Sequence, residues 1–187
     1  KLVNLFGESM IASYTVATRM ENILMIPIIG IQNTMATFAG QNMGARQPER
    51  VSKGLGQGVL VSLFMTAALC VCQFLGMELI IRAFKLDAAA AAICRQHLFA
   101  SVLSEPIFAI YFPANGMFQG VGEGFHATFY ALMALGLRVV FAYSLYRTAF
   151  FGYTAIWWSQ AMAWTLTLIT CYAHFFRGKW KEKSLVS

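Results

Sequence analysis

Charged residues are scarce in this chain, and their scarcity excludes most soluble folds. Only 12% of the 187 residues are Asp, Glu, Lys or Arg, whereas 58% are hydrophobic. A typical soluble domain carries about 25% charged residues. A soluble protein with so few charges would expose large apolar patches, which monomeric soluble proteins rarely do. The composition therefore predicts a protein that is surrounded mainly by lipid.

Motifs of the common enzyme classes are also missing. The sequence contains no GxxxxGK[ST] phosphate loop, no GxSxG nucleophile motif, no HExxH zinc motif and no EF-hand loop. Its four cysteines form no CxxC pair and its three histidines are scattered, so no metal site and no cofactor are predicted. The polar connections are too short for an ATPase domain. We therefore expect a protein that is not an enzyme.

Five long apolar stretches make up most of the chain, at roughly 14–40, 55–81, 96–119, 125–146 and 153–176. A membrane helix needs about 20 apolar residues to cross a hydrocarbon core of about 30 Å. Backbone polar groups must be paired in lipid, so each stretch should be helical. The sequence predicts an all-α, polytopic transmembrane bundle with five full spans. Residues 7–176 would form this bundle, after the end of an upstream transmembrane helix at 1–6 and before a basic tail at 177–187.

Positive charge is concentrated on one side of these spans. The net charge is +6, from 14 Lys and Arg against 8 Asp and Glu. Seven basic residues lie in the 41–54 loop and the tail, and three in the loops on the other side: Arg46, Arg50, Lys53, Arg177, Lys179, Lys181 and Lys183 against Arg82, Lys85 and Arg147. Short cytoplasmic loops are enriched in Lys and Arg. We therefore expect a multi-pass protein of the cell (inner or plasma) membrane with a cytoplasmic C-terminus. Topology explains the charge, and no nucleic-acid partner is expected.

Charged side chains inside the spans are the first candidates for function. Such groups are costly in lipid and usually face the bundle interior or a wet cavity. Glu105 precedes Pro106 in the third span, where its carboxylate could bind a cation or a proton; the alternative is a partly solvated position near the outer interface. Arg138 in the fourth span needs a partner, a water-filled cavity or a route to the interface by snorkelling, and Glu105 and Glu123 are the candidate partners.

Amide side chains are the second group of candidates. Asn115 and Gln119 follow Pro113 in the third span, which allows two interpretations: a broken helix that exposes carbonyls to a cavity, or a packing kink with satisfied amides. Gln32 and Asn33 lie deep in the first span and are expected to line a cavity.

Two charged residues near the start of the first span, Arg19 and Glu21, are expected instead among the outer headgroups. The sequence around them is the most polar part of that span.

The loop after the first span carries a recognisable pattern. It resembles the GQNxGA…R signature of the multidrug and toxic compound extrusion (MATE) transporters, and the residues concerned are Gly40, Gln41, Asn42, Gly44, Ala45 and Arg50. Further on, Gln119–Glu123, with Gly120 and Gly122, is similar to the family's QGxGD/E turn, and Arg177–Lys181 is similar to its closing RGxWK. These pieces occur in the family's order and spacing over nearly the whole chain.

The resemblance implies a twelve-helix transporter of two lobes, of which this chain would be the end of helix seven and then helices eight to twelve, the C-terminal lobe. It implies a secondary active antiporter that exports organic cations and other drugs in exchange for Na⁺ or H⁺. The expected partners are membrane lipid, a small organic cation and the N-terminal lobe of the same protein. Sodium-coupled members have an Asp in the middle of helix ten, where this chain has Phe108 and Ile110, with Glu105 one turn earlier. The coupling ion is therefore left open.

Two alternatives to the antiporter remain. A flippase for lipid-linked oligosaccharides has a similar two-lobe plan, but it needs a cationic cavity for pyrophosphate, and only Arg95 and Arg138 could supply one. The other alternative is an inactive truncated fragment, because five helices cannot by themselves alternate around a cleft between two lobes.

Overall fold

Five helices form the computed structural model of the chain, which describes residues 2–148 and 150–182. They are α1 (Glu8–Gly44), α2 (Pro48–Ala83), α3 (Ala88–Gly120), α4 (Gly124–Leu145) and α5 (Ala155–Arg177). Short 3-10 turns occur at Val3–Phe6, Gly152–Thr154 and Lys179–Glu182. These described residues contain no strand. The predicted all-α helix bundle is confirmed.

Helix α3 lies at the centre of the bundle. It packs extensively against α1 and α2 on one side and against α5 on the other, whereas α4 packs mainly against α5. Residues of α3 are buried along its whole length, but only Ala127, Tyr130 and Ala134 are buried in α4. Because α3 is enclosed by its neighbours over most of its length, several of its polar side chains, Glu105 and Asn115 among them, are buried inside the protein.

Within the described residues, four helices, α1 to α4, are long and apolar enough to cross a membrane. At 33 to 37 residues, α1, α2 and α3 are about 50–55 Å long and extend beyond the hydrocarbon core. Helix α5 has 23 residues, about as many as the 22 of α4, against which it packs. It is therefore long enough to cross the same hydrocarbon core. Its Trp and Thr residues lower its mean hydropathy, although Trp is common in membrane helices near the interface.

The helix boundaries differ from the predicted spans most clearly at α3. This helix begins at Ala88 rather than near residue 96, because the Asp87 carboxylate accepts a hydrogen bond of 2.7 Å from the Ala90 N–H and caps the first turn. It then continues through Pro106 and Pro113. The structure therefore excludes a broken helix at Pro113 and leaves the packing interpretation.

The backbones of α1 and α3 approach each other very closely. A Cβ atom on Gly116 would lie 2.1 Å from the carbonyl oxygen of Gln32, and one on Gly120 would lie 2.1 Å from that of Ala36. Gly40 lies on the other side of the same contact, where a Cβ would be 3.3 Å from the Gly120 oxygen. Small residues four apart allow this packing between membrane helices.

The two ends of the chain are described only in part. Val3–Phe6 forms a single 3-10 turn, and its predicted origin in an upstream helix stays a prediction, with Lys1 outside the described residues. In the tail, Trp180 is fully buried, stacks on Phe175 and donates from Nε1 to the Phe175 oxygen at 3.0 Å. Residues 183–187, with Lys183, also lie outside the described residues.

Candidate functional site

A polar cavity of about 230 Å³ lies between α1, α3, α4 and α5. Charged and amide groups on its wall are accompanied by aromatic rings. The charged and amide lining residues are Glu21, Asn22, Glu105, Arg138 and Gln160, and the aromatic ones are Tyr14, Phe108, Phe112 and Trp164. A wall that combines carboxylates with aromatic faces can hold a cation, because both kinds of group attract positive charge.

Glu105 is the most deeply buried of the charged groups in this cavity. Its side chain is only 1% exposed, and its Oε2 atom has no hydrogen-bond partner among the described residues. The structure therefore contradicts the alternative of a partly solvated carboxylate. A buried carboxylate oxygen without a partner needs a proton or a cation to offset its desolvation.

Glu21 belongs to the same cavity, which corrects its expected position among the outer headgroups. Its Oε1 atom accepts a hydrogen bond from Ser101 Oγ at 2.5 Å and lies 3.0 Å from His97 Nε2. The imidazole of His97 is stacked between the rings of Tyr14 and Trp157. The interior of the bundle can hold the Glu21 carboxylate because α3 supplies these two polar partners.

Arg138 has a different partner from either of those predicted. Its Nη2 atom donates to the Tyr14 hydroxyl at 3.3 Å, and no ion pair with Glu105 or Glu123 forms among the described residues. Glu123 lies beyond the far end of α3, next to His126 and His174. Arg138 nevertheless lines the cavity that contains Glu21 and Glu105, so the three ionisable groups share one space.

The predicted amide residues meet at Asn115, outside this cavity. Asn115 Oδ1 accepts from Gln32 Nε2 at 2.9 Å and from Gln119 Nε2 at 2.7 Å. Its Nδ2 atom donates to the Tyr111 hydroxyl and the Ala127 carbonyl, at 2.8 and 2.9 Å. This network connects α1, α3 and α4, and it satisfies the Asn115 amide. Asn33 is not part of it and is exposed on α1.

The loop of the family motif is a compact turn between α1 and α2. Gly44 is the last residue of α1, Ala45 follows it, and Arg46 has a positive φ of 57°. Asn42 donates from Nδ2 to the Phe38 oxygen at 2.8 Å, and its own carbonyl accepts from the Gln47 N–H at 2.8 Å.

The outer residues of this loop are exposed, namely Gln41 and Arg50, and Arg50 donates to Gln47 Oε1 at 3.0 Å. In the α3–α4 turn, Gly120 makes the close approach to α1 and Gly122 has a positive φ of 79°. These motif residues shape the two turns at this end of the bundle, and none of them lines the cavity around Glu105.

Several residues of the site were not singled out from the sequence. Tyr14, Gln160 and Trp164 were missed because each is ordinary within its span. His97 and Ser101 do carry a signal, since they lie four apart and therefore share one helix face. Gly116 carries another, because it lies four residues before Gly120.

Comparison with known proteins agrees with this architecture. The model of the MatE family matches residues 1–144. The chain belongs to the MatE family. Its similarity to individual members is low in sequence but extends along almost the whole chain. Over 184 residues, or 98% of the chain, it is 19% identical to a probable multidrug resistance protein, YoeA, of Bacillus subtilis, and it covers 40% of that protein.

A similar match exists to a probable multidrug resistance protein, NorM, of Thermotoga maritima, with 23% identity over 97% of the chain and 39% of the relative. This MatE family chain thus spans about 40% of the length of the curated relatives that it matches. With its long apolar helices, it is a multi-pass membrane protein.

Solved transporters have the same fold. A MOP superfamily transporter from Pyrococcus furiosus superimposes with a TM-score of 0.85 at 15% identity, over 94% of this chain and 39% of that protein. A MATE protein in complex with MaD5 gives a TM-score of 0.83 at 15% identity, over 90% of this chain and 38% of that protein. At this level of identity, the likeness extends to the fold alone.

Proposed function

We propose that this chain forms the C-terminal lobe of a secondary antiporter that exports organic cations in exchange for Na⁺ or H⁺. The observation that carries the proposal is the buried Glu105 carboxylate in a cavity that it shares with Glu21. Membership of the MatE family supports the transport class, and the curated relatives are named as probable multidrug resistance proteins.

The cavity chemistry suits a cationic substrate. The rings of Phe108, Phe112 and Trp164 surround one side of it and pack against one another at centroid distances of 5.3 to 6.2 Å. Aromatic faces and buried carboxylates both stabilise an organic cation that has lost its hydration shell.

The size of the cavity favours completion by a second lobe. Its volume of about 230 Å³ is below the roughly 300–1,000 Å³ of typical ligand sites. The chain covers about 40% of its relatives. The N-terminal lobe of the same protein is therefore the proposed partner, and surrounding lipid is the other.

The proposed coupling of substrate export to ion entry depends on the two carboxylates in the cavity. Glu21 and Glu105 are like charges in one cavity, so a Na⁺ ion or a proton that enters it is stabilised by both. An organic cation would be stabilised by the same groups. Binding of one would therefore displace the other, which is the requirement for exchange.

The flippase alternative receives less support from the described residues. A pyrophosphate site needs several cationic groups, and of the two candidates Arg95 makes a two-pronged ion pair with Glu78, at 2.5 and 3.0 Å, on the surface. This leaves Arg138 beside two carboxylates, an arrangement that favours cations over a polyanion.

We place the C-terminus in the cytoplasm of a cell whose plasma membrane contains the protein. Helices of alternating direction bring the α1–α2 loop and the end of α5 to the same side of the bundle. Basic residues at that side are Arg46, Arg50, Lys53, Arg177, Lys179 and Lys181. The positive-inside tendency supports a cytoplasmic position for all of them. The test is a reporter enzyme, fused to the C-terminus, that is active only outside the cytoplasm. Activity of this reporter would contradict the orientation.

Transport in vesicles tests the proposal. The transporter that contains this chain as its C-terminal lobe is reconstituted, and efflux of a fluorescent organic cation is followed under an imposed Na⁺ gradient and, separately, a proton gradient. We expect flux under one of the two gradients and none for the chain alone. Absence of gradient-driven flux under both conditions would refute the antiporter.

A further inference from the structure

Two histidines and one glutamate meet at the end of the bundle opposite the Glu21–Ser101–His97 cluster. Glu123 Oε2 lies 3.2 Å from His126 Nδ1 and 3.2 Å from His174 Nε2. The three ligand atoms all lie within 4.8 Å of one another. The residues line a cavity of about 360 Å³ that opens to the surface. We call them the Glu123 cluster.

Local backbone structure positions two of the three residues. Gly122 has a positive φ of 79°, and the Glu123 N–H donates to the Phe118 oxygen at 2.8 Å, so the α3–α4 turn is closed just before the carboxylate. His126 follows one turn later in α4, three residues from Glu123, which is the spacing that places two side chains on one helix face.

His174 comes from the last turn of α5 and is oriented from two sides. Its ring stacks on Phe118, with centroids 4.9 Å apart and planes at 13°. Its Nδ1 atom lies 2.8 Å from the Tyr130 hydroxyl. In the tautomer with the proton on Nδ1, the imidazole donates to the Tyr130 hydroxyl, and Nε2, which faces Glu123, carries the lone pair that would bind an ion. A second hydrogen bond of this kind usually orients a histidine that binds a metal.

We propose that the Glu123 cluster binds a divalent first-row transition ion, with Zn²⁺ as the best fit. Two imidazole nitrogens and one carboxylate oxygen form a donor set that Zn²⁺ uses in proteins, with a fourth position for water. Bonds of about 2.0–2.2 Å place tetrahedral donors roughly 3.3 Å apart. Two of the three separations already match this value, so only small side-chain movements are required.

Two basic residues, Arg177 and Lys179, line the same cavity and oppose a cation there. Both are exposed, so their long side chains can turn into water when an ion enters. His126 is also partly exposed, with a side-chain accessibility of 44%, which gives an ion an entry path. The proposed ion would connect the α3–α4 turn to the end of α5 and hold these elements together.

The Glu123 cluster is separate from the cavity around Glu105. Gly120, at the end of α3, is about 22 Å along the helix from Glu105, given a rise of 1.5 Å per residue. Metal binding is therefore testable without transport, and it holds or fails independently of the antiporter proposal.

Binding of Zn²⁺ and Co²⁺ to the purified, metal-stripped chain in lipid nanodiscs tests the proposal. We expect a single Zn²⁺ ion per chain by calorimetry and visible absorption bands of four-coordinate Co²⁺. Affinity should fall by about tenfold or more in His126→Gln and in His174→Gln, and by a smaller factor in Tyr130→Phe, which removes only the orienting hydroxyl.

A matched control tests whether Zn²⁺ binds at the Glu123 cluster and not at another side chain. Cys72→Ser removes an exposed thiol, a group that Zn²⁺ also binds in proteins, and should leave Zn²⁺ affinity and the Co²⁺ bands unchanged. His126→Gln alters a partly exposed side chain and should leave the helical circular dichroism intact. Equal Zn²⁺ affinity in the wild type and His126→Gln, or no binding by the wild type, would overturn the proposal.

Discussion

Asn115 on α3 and Gln32 on α1 share a hydrogen bond of 2.9 Å within the bundle. The same Oδ1 atom of Asn115 also accepts from Gln119, so that one carbonyl oxygen serves two amides. An amide pair of this kind ties two membrane helices in one register, because either partner alone would leave a polar group unpaired.

Replacing Asn115 with leucine should destabilise the bundle by about 2 kcal/mol or more. The change removes the acceptor of two amides and the donor to Tyr111 and Ala127, and each unsatisfied buried group costs about 1–3 kcal/mol. Thermal unfolding in nanodiscs measures the loss. Asn33→Leu is the matched control, since Asn33 is exposed and outside the network. Equal unfolding temperatures for the two variants would show that the network contributes nothing.

Gly116→Ala should destabilise the protein by about 1–3 kcal/mol, the usual cost of overpacking. The new methyl group would lie 2.1 Å from the Gln32 carbonyl oxygen, and a backbone atom cannot turn away. Gly76→Ala is the control, because nothing lies within 4 Å of a Cβ at Gly76. The control should match or exceed wild-type stability, since Ala favours helix over Gly. A Gly116→Ala protein as stable as Gly76→Ala would contradict the close approach of α1 and α3.

Glu105→Gln in the reconstituted transporter should abolish gradient-driven exchange while leaving the protein folded. The amide keeps the shape of the side chain but cannot carry the charge that holds a cation. Vesicle flux under both gradients measures the loss of exchange, and thermal unfolding shows whether the variant is still folded.

Glu78→Gln provides the comparison for that experiment, because it also removes one carboxylate but lies on the surface beside Arg95. We expect wild-type flux from it. Unchanged coupling in Glu105→Gln would remove Glu105 from the site.

Trp180→Ala should lower stability by about 3–5 kcal/mol, the range for truncation of a buried aromatic. The indole is fully buried, stacks on Phe175 at 5.5 Å and donates to its carbonyl oxygen. Lys181→Ala, one residue away, removes an exposed ion pair with Glu49 and a cation–π contact with the Trp180 ring at 5.8 Å, and should lower the unfolding temperature only slightly. A small effect of Trp180→Ala, similar to that of Lys181→Ala, would mean that the tail does not secure α5.

The sequence was sufficient for the fold because length and apolarity alone separate membrane helices from other elements. It was less reliable at helix ends: the start of α3 depends on the Asp87 cap, and an alanine run has no apolar pattern that marks its first turn. The burial of Glu105 agrees with the cavity interpretation, since polar groups within a span face inward.

Positions that depend on tertiary neighbours were harder to predict. Glu21 was expected at the headgroups because its partners, Ser101 and His97, are about 80 residues away in the chain. His126 and His174 are 48 residues apart, so their meeting at Glu123 follows from the packing of α4 on α5 and from no local motif. Pairing over such distances is not encoded in spacing.

The close approach of Gly116 and Gly120 to the α1 backbone limits how this part of the protein can move. Where two helix backbones touch directly, no layer of flexible side chains separates them, so α1 cannot slide or rotate on α3 without a backbone collision. Any conformational change that opens the cavity around Glu105 must therefore move α1 and α3 together as one rigid unit.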